Sequence, residues 1–411
     1  LLDDLLSTQI LIEWQPSPEA QPERYILAFP HHVLFDYAVA RLLFRGNAQK
    51  VVRRLSEDPD LVLVVRPSLV FHFRHLWNSE PNRRAFWDLS FRVIQANGVP
   101  EIGKLIGPAV AAELARTIDD LEHLCVDLEA DERRTQEIAE QALRHLVGAL
   151  LAQENVGNLA GPWCALLDRV SERSLRKSVA YTVRILLTTL CEYVEKFTPE
   201  QKTAAGRAAR RLLEFAWSQQ HRDRWLVVHA LQCVCRTFDS DPTASASLIR
   251  RAIEPQHLAQ YGFEELPWLA REVERLFSDP SLVADIYRAA FTHREEADDP
   301  TPIGTSRIFG MVSTRRQNYE LALYALAETF PKFLKSAPEK ATRALMAVMQ
   351  AYVEKEHPPT SSEWREETFD FNGQVAYLRE DYSFIWDSRD VYSHHDPIKM
   401  LNAFQDFLEE L

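Results

Sequence analysis

The chain has 411 residues, 46% hydrophobic and 26% charged, and Asp plus Glu outnumber Lys plus Arg 60 to 47, for a formal net charge of −13. That much apolar material supports a large packed core and excludes intrinsic disorder. The acidic balance excludes general affinity for a nucleic-acid backbone, which requires a basic surface, although a local basic site remains compatible with it.

In chain order, residues 1–13 read as helix. The opening "LLDDLLSTQILIEWQ" looks like an element already under way, so the chain is expected to be an excerpt of a longer one. "PSPEAQPE" (16–23) is a turn-rich tip, because its three prolines fix φ and remove backbone donors. "RYILAF" (24–29) predicts a strand, and from His31 to Arg45 the period turns helical, with Leu34, Tyr37, Ala38 and Arg41 on one side. Helix, β-wing, helix is the order found at the end of a winged-helix domain.

From about residue 47, helices of roughly 12 to 20 residues follow one another across short breaks. Leu143, Leu146, Val147 and Leu150 form a core stripe, as do Val183, Leu186, Leu187 and Leu190, and Leu345, Val348, Met349 and Tyr352. Breaks fall at "EDPD" (57–60), "NSEPN" (78–82), "NGVP" (97–100), "FTPE" (197–200) and "DSDPT" (239–243). The expected fold is mainly α: an α-solenoid or HEAT-like irregular array of helix pairs, without a TPR or ankyrin consensus. Two stretches interrupt it. Residues 293–319 place an acidic, proline-bearing loop before a basic helix start. In 367–387, Asn372-Gly373 separates aromatic-rich alternating segments, which predicts an inserted β-hairpin. The expected organisation is 1–46 as the end of a winged-helix domain, 47–292 as a helical-repeat array, and 293–411 as its continuation with the hairpin.

Candidate chemistry is sparse. Gly98, Gly103 and Lys104 match G-x-x-x-x-G-K, but Leu105 stands where a P-loop needs Ser or Thr, and the preceding "FWDLSFRVIQAN" reads as helix rather than strand. His72 and His75 share a helix turn without a third metal ligand nearby, and read as structural amid Phe71, Phe73 and Trp77. "SHHDP" (393–397) reads as a helix start, with Asp396 as N-cap and Pro397 at N1. No serine lies in a G-x-S-x-G elbow. The segment is therefore expected not to be an enzyme. Only 12 glycines occur, which argues against a β-rich or phosphate-loop-rich fold. The five cysteines, Cys125, Cys164, Cys191, Cys233 and Cys235, lack metal or redox spacing and fit buried thiols of a reducing cytoplasm. No apolar run reaches the ~18 residues of a membrane span.

Thr314 and Gln317 form a T-x-x-Q capping box that starts a helix. Arg307, Arg315 and Arg316 gather beside it, and with Tyr319 they are the candidate partner-binding residues. The nearness of Glu295, Glu296, Asp298 and Asp299 favours instead an internal salt-bridge hub; an autoinhibitory latch would combine the two. Trp364, Tyr377, Tyr382, Phe384 and Trp386 crowd the hairpin, either as packing or as a recognition surface.

"FPHHVLFDYAVARLL" resembles the end of the winged-helix domain in STAND-class signalling NTPases, where a strand leads into a pattern like F-S-H-x-x-L-x-D-Y-A-x-A. Plant and animal relatives carry the Met-His-Asp motif at the same place. Phe29, His31, Leu34, Asp36, Tyr37, Ala38 and Ala40 fit in register. Pro30 replaces the usual Ser or Met, and His32 stands where the Met-His-Asp acid would be. The resemblance implies that His31 contacts the β-phosphate of bound ADP and helps hold an inactive state. It also implies ADP or ATP as cofactor of the complete protein, with Walker segments before Leu1.

The remaining helices resemble the sensor arrays of large bacterial antiviral STAND NTPases of the AVAST type, with "SRIFGMVSTRRQNYELALYAL" and "DYSFIWD" as the similar stretches. The implied function is recognition of a protein trigger, such as a phage protein, followed by nucleotide-dependent homo-oligomerisation. The alternative is a helical-repeat interaction scaffold without a nucleotide switch.

Overall fold

The computed structural model describes residues 2–14, 26–153, 160–301, 313–356, 367–371, 374–378 and 395–410. The tip at 16–23, Arg307, Trp364, Tyr382, Phe384 and Trp386 lie outside them, as do His394 and the Tyr377 side chain. The chain divides into two compact units, Leu1–Ala204 and Ala205–Leu411.

In the first unit, α1 (Leu2–Ser7) is shorter than the expected helix over 1–13. It ends in a Schellman turn: Gln9 takes a left-handed φ of 57°, Ile10 N–H bonds Leu5 O at 2.9 Å, and Gln9 N–H bonds Leu6 O at 3.0 Å. The chain then extends into β1 (Ile12–Trp14), which pairs antiparallel with β2 (Ile26–Ala28), Glu13 opposite Leu27. Reversal of the chain at Gln9 lets this segment return as a strand paired with β2. α2 (His32–Leu42) follows directly.

Helices continue as α3 (Ala48–Glu57), α4 (Leu61–Val64), α5 (Arg66–Ser79), α6 (Arg84–Gln95), α7 (Glu101–Lys104), α8 (Ile106–Leu114), α9 (Glu122–Glu129), α10 (Arg133–Leu151), α11 (Ala160–Arg173) and α12 (Lys177–Cys191). α5 packs on α2 and α8, α8 on α10, and α10 on α12; alongside, α6 packs on α3 and α10, and α11 on α9 and α12. Each helix thus meets a partner further along as well as its neighbour, the packing of stacked helix pairs. Close approach at α8 depends on Gly107, where a Cβ would stand 2.5 Å from Ser90 Oγ and 3.1 Å from Phe73.

The unit boundary falls within α13 (Pro199–Ser218). The second unit continues with α14 (Arg224–Arg236), α15 (Pro242–Ala252), α16 (Pro255–Glu272), α17 (Pro280–Thr292), α18 (Arg315–Ser336), α19 (Pro338–Glu356) and, after β3 (Glu367–Phe371) and β4 (Gln374–Leu378), α20 (Asp396–Glu409). α14, α16, α18 and α20 pack in one row, and α15, α17 and α19 in another. The starts are chemically marked. Asp223, Asp241 and Asp279 accept from the backbone of Leu226, Ala244 and Leu282 at 2.9–3.1 Å, and the latter two helices begin with proline. At α20 the N-cap is His395 rather than the expected Asp396, with Pro397 in the first turn. β3 and β4 form an antiparallel ladder with Phe371 opposite Gln374, so the inserted strand pair is present.

The fold is therefore a mainly α, irregular helical array with short β-hairpins. All three expected core stripes are buried, from Leu143 to Leu150, Val183 to Leu190 and Leu345 to Tyr352. Burial of such side chains contributes about 1.5–3 kcal/mol each relative to exposure, which is what offsets the entropy of ordering so long a chain. No helix of the described residues is long and apolar enough to cross a membrane.

Candidate functional site

His31 is the N-cap of α2, in extended geometry (φ −120°, ψ 126°). It is exposed and makes no side-chain capping bond. Its carbonyl accepts the Leu34 N–H at 3.0 Å, so the backbone starts the helix and leaves the imidazole outside it. One turn later the motif becomes structural. Asp36 is 7% exposed, and the fully buried Ser68 donates to it at 2.8 Å, tying α2 to α5. Ala40, one turn on, is buried beside it.

The expected apolar side of α2 points elsewhere. Leu34 and Tyr37 are exposed, together with Val33, Phe35 and Leu42 on the helix and Ile12, Trp14, Ile26 and Leu27 on the hairpin. Trp14 and Tyr37 leave 57% and 55% of their surface uncovered.

Just below, Arg41 lies 2.8 Å from His75 Nε2, and His72 packs on Phe44 with ring centres 5.6 Å apart. Burial, then His75 and Arg41, lower the His72 pKa to about 4, holding the ring neutral. Both histidines therefore serve the α2–α5 contact. Among the described residues no group of three His, Cys, Asp or Glu could hold a metal.

The P-loop-like residues lie after a helix, α6. Gly103 is buried, with Val99 and Val62 closest to its missing Cβ, and Lys104 bonds Glu101 at 2.8 Å. All five cysteines are buried and none is in a disulfide; burial pushes Cys125 and Cys164 up to about 12 and raises Cys235 further, so these three are thiols rather than thiolate nucleophiles.

The basic helix start is closely stitched to the acidic segment before it. Thr314 and Gln317 complete the capping box. Arg315 bonds Glu295 at 3.0 Å and Ala259 O at 2.8 Å, with its guanidinium 4.3 Å from the Phe263 ring centre. Arg316 pairs with Asp298 at 3.0 Å. The backbone N–H groups of Arg315 and Arg316 are taken by Asp299 O and Ala297 O, at 3.1 Å each. Tyr319 is buried, its hydroxyl donating to Ala290 O at 2.8 Å. These side chains hold residues 293–301 over the start of α18.

Two further clusters were not singled out from the sequence. Glu265, 2% exposed, accepts from Trp217 at 3.2 Å and lies 2.9 Å from His257 and against Arg222, whose guanidinium covers Tyr261 at 3.5 Å. Along α14 and α16, Trp225, His229 and Trp268 meet edge to face or tilted at 5.5–6.1 Å, flanked by Arg224 and Arg271. The helical spacing of Trp225 and His229 (i, i+4) was a usable signal for the second; the first depends on contacts between distant residues.

Comparison with protein-family models, curated proteins and solved structures finds no match to this chain.

Proposed function

We propose that this chain is the regulatory and sensor portion of a STAND-type NTPase, recognising a protein trigger, a phage protein being the favoured class, and controlling nucleotide-dependent oligomerisation in antiviral defence. The observation that carries the reading is the junction at residues 26–44. A hairpin strand leads into α2 with Phe29, His31, Asp36 and Tyr37 in motif register, and the motif splits into two physical jobs. Asp36 grips the first helices of the array through Ser68, while His31 and the apolar side chains around it stay uncovered. Such a module suits a part that docks on a nucleotide-binding core with one side and on the array with the other.

In this reading His31 contacts the β-phosphate of ADP held by a core encoded before Leu1, and stabilises the resting state. A trigger bound by the array shifts the equilibrium only through its different affinity for the resting and active states. The α2–α5 contact is the mechanical link between the two. Cytoplasmic location follows as part of the proposal.

The test is His31→Ala in the protein expressed from its complete reading frame, followed by sizing chromatography without trigger. The expected result is spontaneous oligomerisation. A variant that stays as monomeric as the parent removes the role of His31; a parent that never oligomerises with nucleotide favours a plain interaction scaffold.

A further inference from the structure

The second unit carries an aromatic and cationic face on α14 and α16, which pack directly on each other. Trp225 leaves 40% of its surface uncovered there. Trp268 meets it edge to face, with ring centres 6.1 Å apart and planes at 80°, and His229 sits between the two at 5.5 and 5.6 Å. Each indole also carries a guanidinium: Arg224 lies 5.0 Å from the centre of Trp225, and Arg271 lies 5.2 Å from that of Trp268.

These cation–π contacts hold the two guanidinium groups in place without using their N–H donors. Among the described residues neither Arg224 nor Arg271 has a hydrogen-bond acceptor or a carboxylate at salt-bridge distance, and Arg224 Nε is buried without a partner. Glu264 supplies the negative charge that acts on Arg224, but burial is the larger influence and lowers its proton affinity. Glu272, next to Arg271 in sequence, is taken by Gln232 and Arg236 at 2.7 and 2.9 Å. Arg222 differs from both, because it lies against Glu265.

We propose that this face binds an acidic segment of a protein partner, with partner carboxylates on Arg224 and Arg271 and an apolar side chain against the open part of Trp225. Tryptophan and arginine are the side chains that most often dominate protein interfaces. A guanidinium fork pairs with a carboxylate through two parallel hydrogen bonds, which would satisfy the donors left over here. A stacked nucleic acid suits the face less well. An arginine covers one face of each indole, and His229 is tilted 40° against Trp225, so no flat platform is open to a base. A chain of formal net charge −13 also repels a long polyanion more than a short segment with a few carboxylates. The inference holds with or without the NTPase reading.

The test is titration of the 411-residue chain with the acetylated peptides EEFEEFEE, EESEESEE and KKFKKFKK and with a short oligothymidylate, followed by tryptophan fluorescence at fixed ionic strength. EEFEEFEE should bind saturably, EESEESEE more weakly, and KKFKKFKK not at all. Affinity for EEFEEFEE should fall about tenfold or more in Arg224→Gln/Arg271→Gln, with thermal unfolding like the parent's. Arg271→Gln alone, at an exposed position, should show part of the same loss and serves if the double variant folds poorly. No saturable binding of EEFEEFEE, equal binding of KKFKKFKK, or undiminished affinity in the variants would overturn the proposal. Oligothymidylate binding tighter than the acidic peptide, and lost in the same variants, would overturn it in favour of a nucleic-acid surface.

Discussion

Replacing Asp36 by Ala removes the acceptor of a hydroxyl that has no solvent to turn to. Ser68 is fully buried, and its bond to Asp36 is 2.8 Å long. Hydrogen bonds to charged groups contribute about 1.5–3 kcal/mol, and an orphaned buried donor costs a similar amount. A loss of about 2 kcal/mol raises the local opening equilibrium of α2 roughly 30-fold. Hydrogen exchange read by peptide mass spectrometry is the appropriate assay, because a chain of two units need not unfold in one step. Peptides from 32–42 and 66–79 should exchange roughly 30-fold faster, while those from α14 to α20 keep the parent rate. Ser68→Ala should cost somewhat less, and the double variant should resemble Asp36→Ala, giving a coupling of about 1–2 kcal/mol. Unchanged exchange in α2, or strictly additive single effects, would refute the argument that Asp36 fastens the module to the array.

Three further outcomes follow from particular side chains. His72 has a folded pKa of about 4 against an ordinary 6.5, so the stability it supports is complete above pH 6.5 and is lost as pH falls toward 4. By pH 5 the loss is up to about 2 kcal/mol, visible as faster exchange in α2 and α5. A His72→Phe variant should flatten that pH dependence, and a parallel acid response in both proteins would rule out His72 as its source. The five buried thiols should be inert to a disulfide reagent in the native protein at pH 8 and all react after denaturation; a fast-reacting native thiol would contradict their burial. Arg315→Ala leaves the Glu295 carboxylate, whose side chain is 6% exposed, without its ion partner. A cost of about 3–5 kcal/mol is expected for breaking a buried pair, read as new proteolytic cleavage within 293–301. Resistance equal to the parent's would show that the stitching there does not depend on the pair.

The helices were legible because their signals are local. Leu143 to Leu150 and Val183 to Leu190 repeat at helical spacing, and Asp241-Pro242 and Asp279-Pro280 punctuate the chain with a cap and a fixed φ. β1 was not legible, since Ile10 to Trp14 fits either period and the turn that separates it from α1 rests on Gln9 rather than a glycine. Which side of α2 packs was also hidden. Leu34 and Tyr37 look like the core side, yet the partner helix is fastened through a carboxylate and a hydroxyl 32 residues apart. At α18 the pairs Arg315–Glu295 and Arg316–Asp298 could be anticipated from charges close in sequence, whereas the roles of Ala259 and Phe263 could not.

The central claim is that this array belongs to a nucleotide-controlled switch. The most direct measurement is the nucleotide content of the protein expressed from its complete reading frame, purified without added nucleotide, denatured, and analysed by ion-pair chromatography. The account predicts stoichiometric ADP in the parent and clearly less in His31→Ala. Protein that folds and carries no nucleotide, or an His31→Ala variant with undiminished ADP, would contradict it.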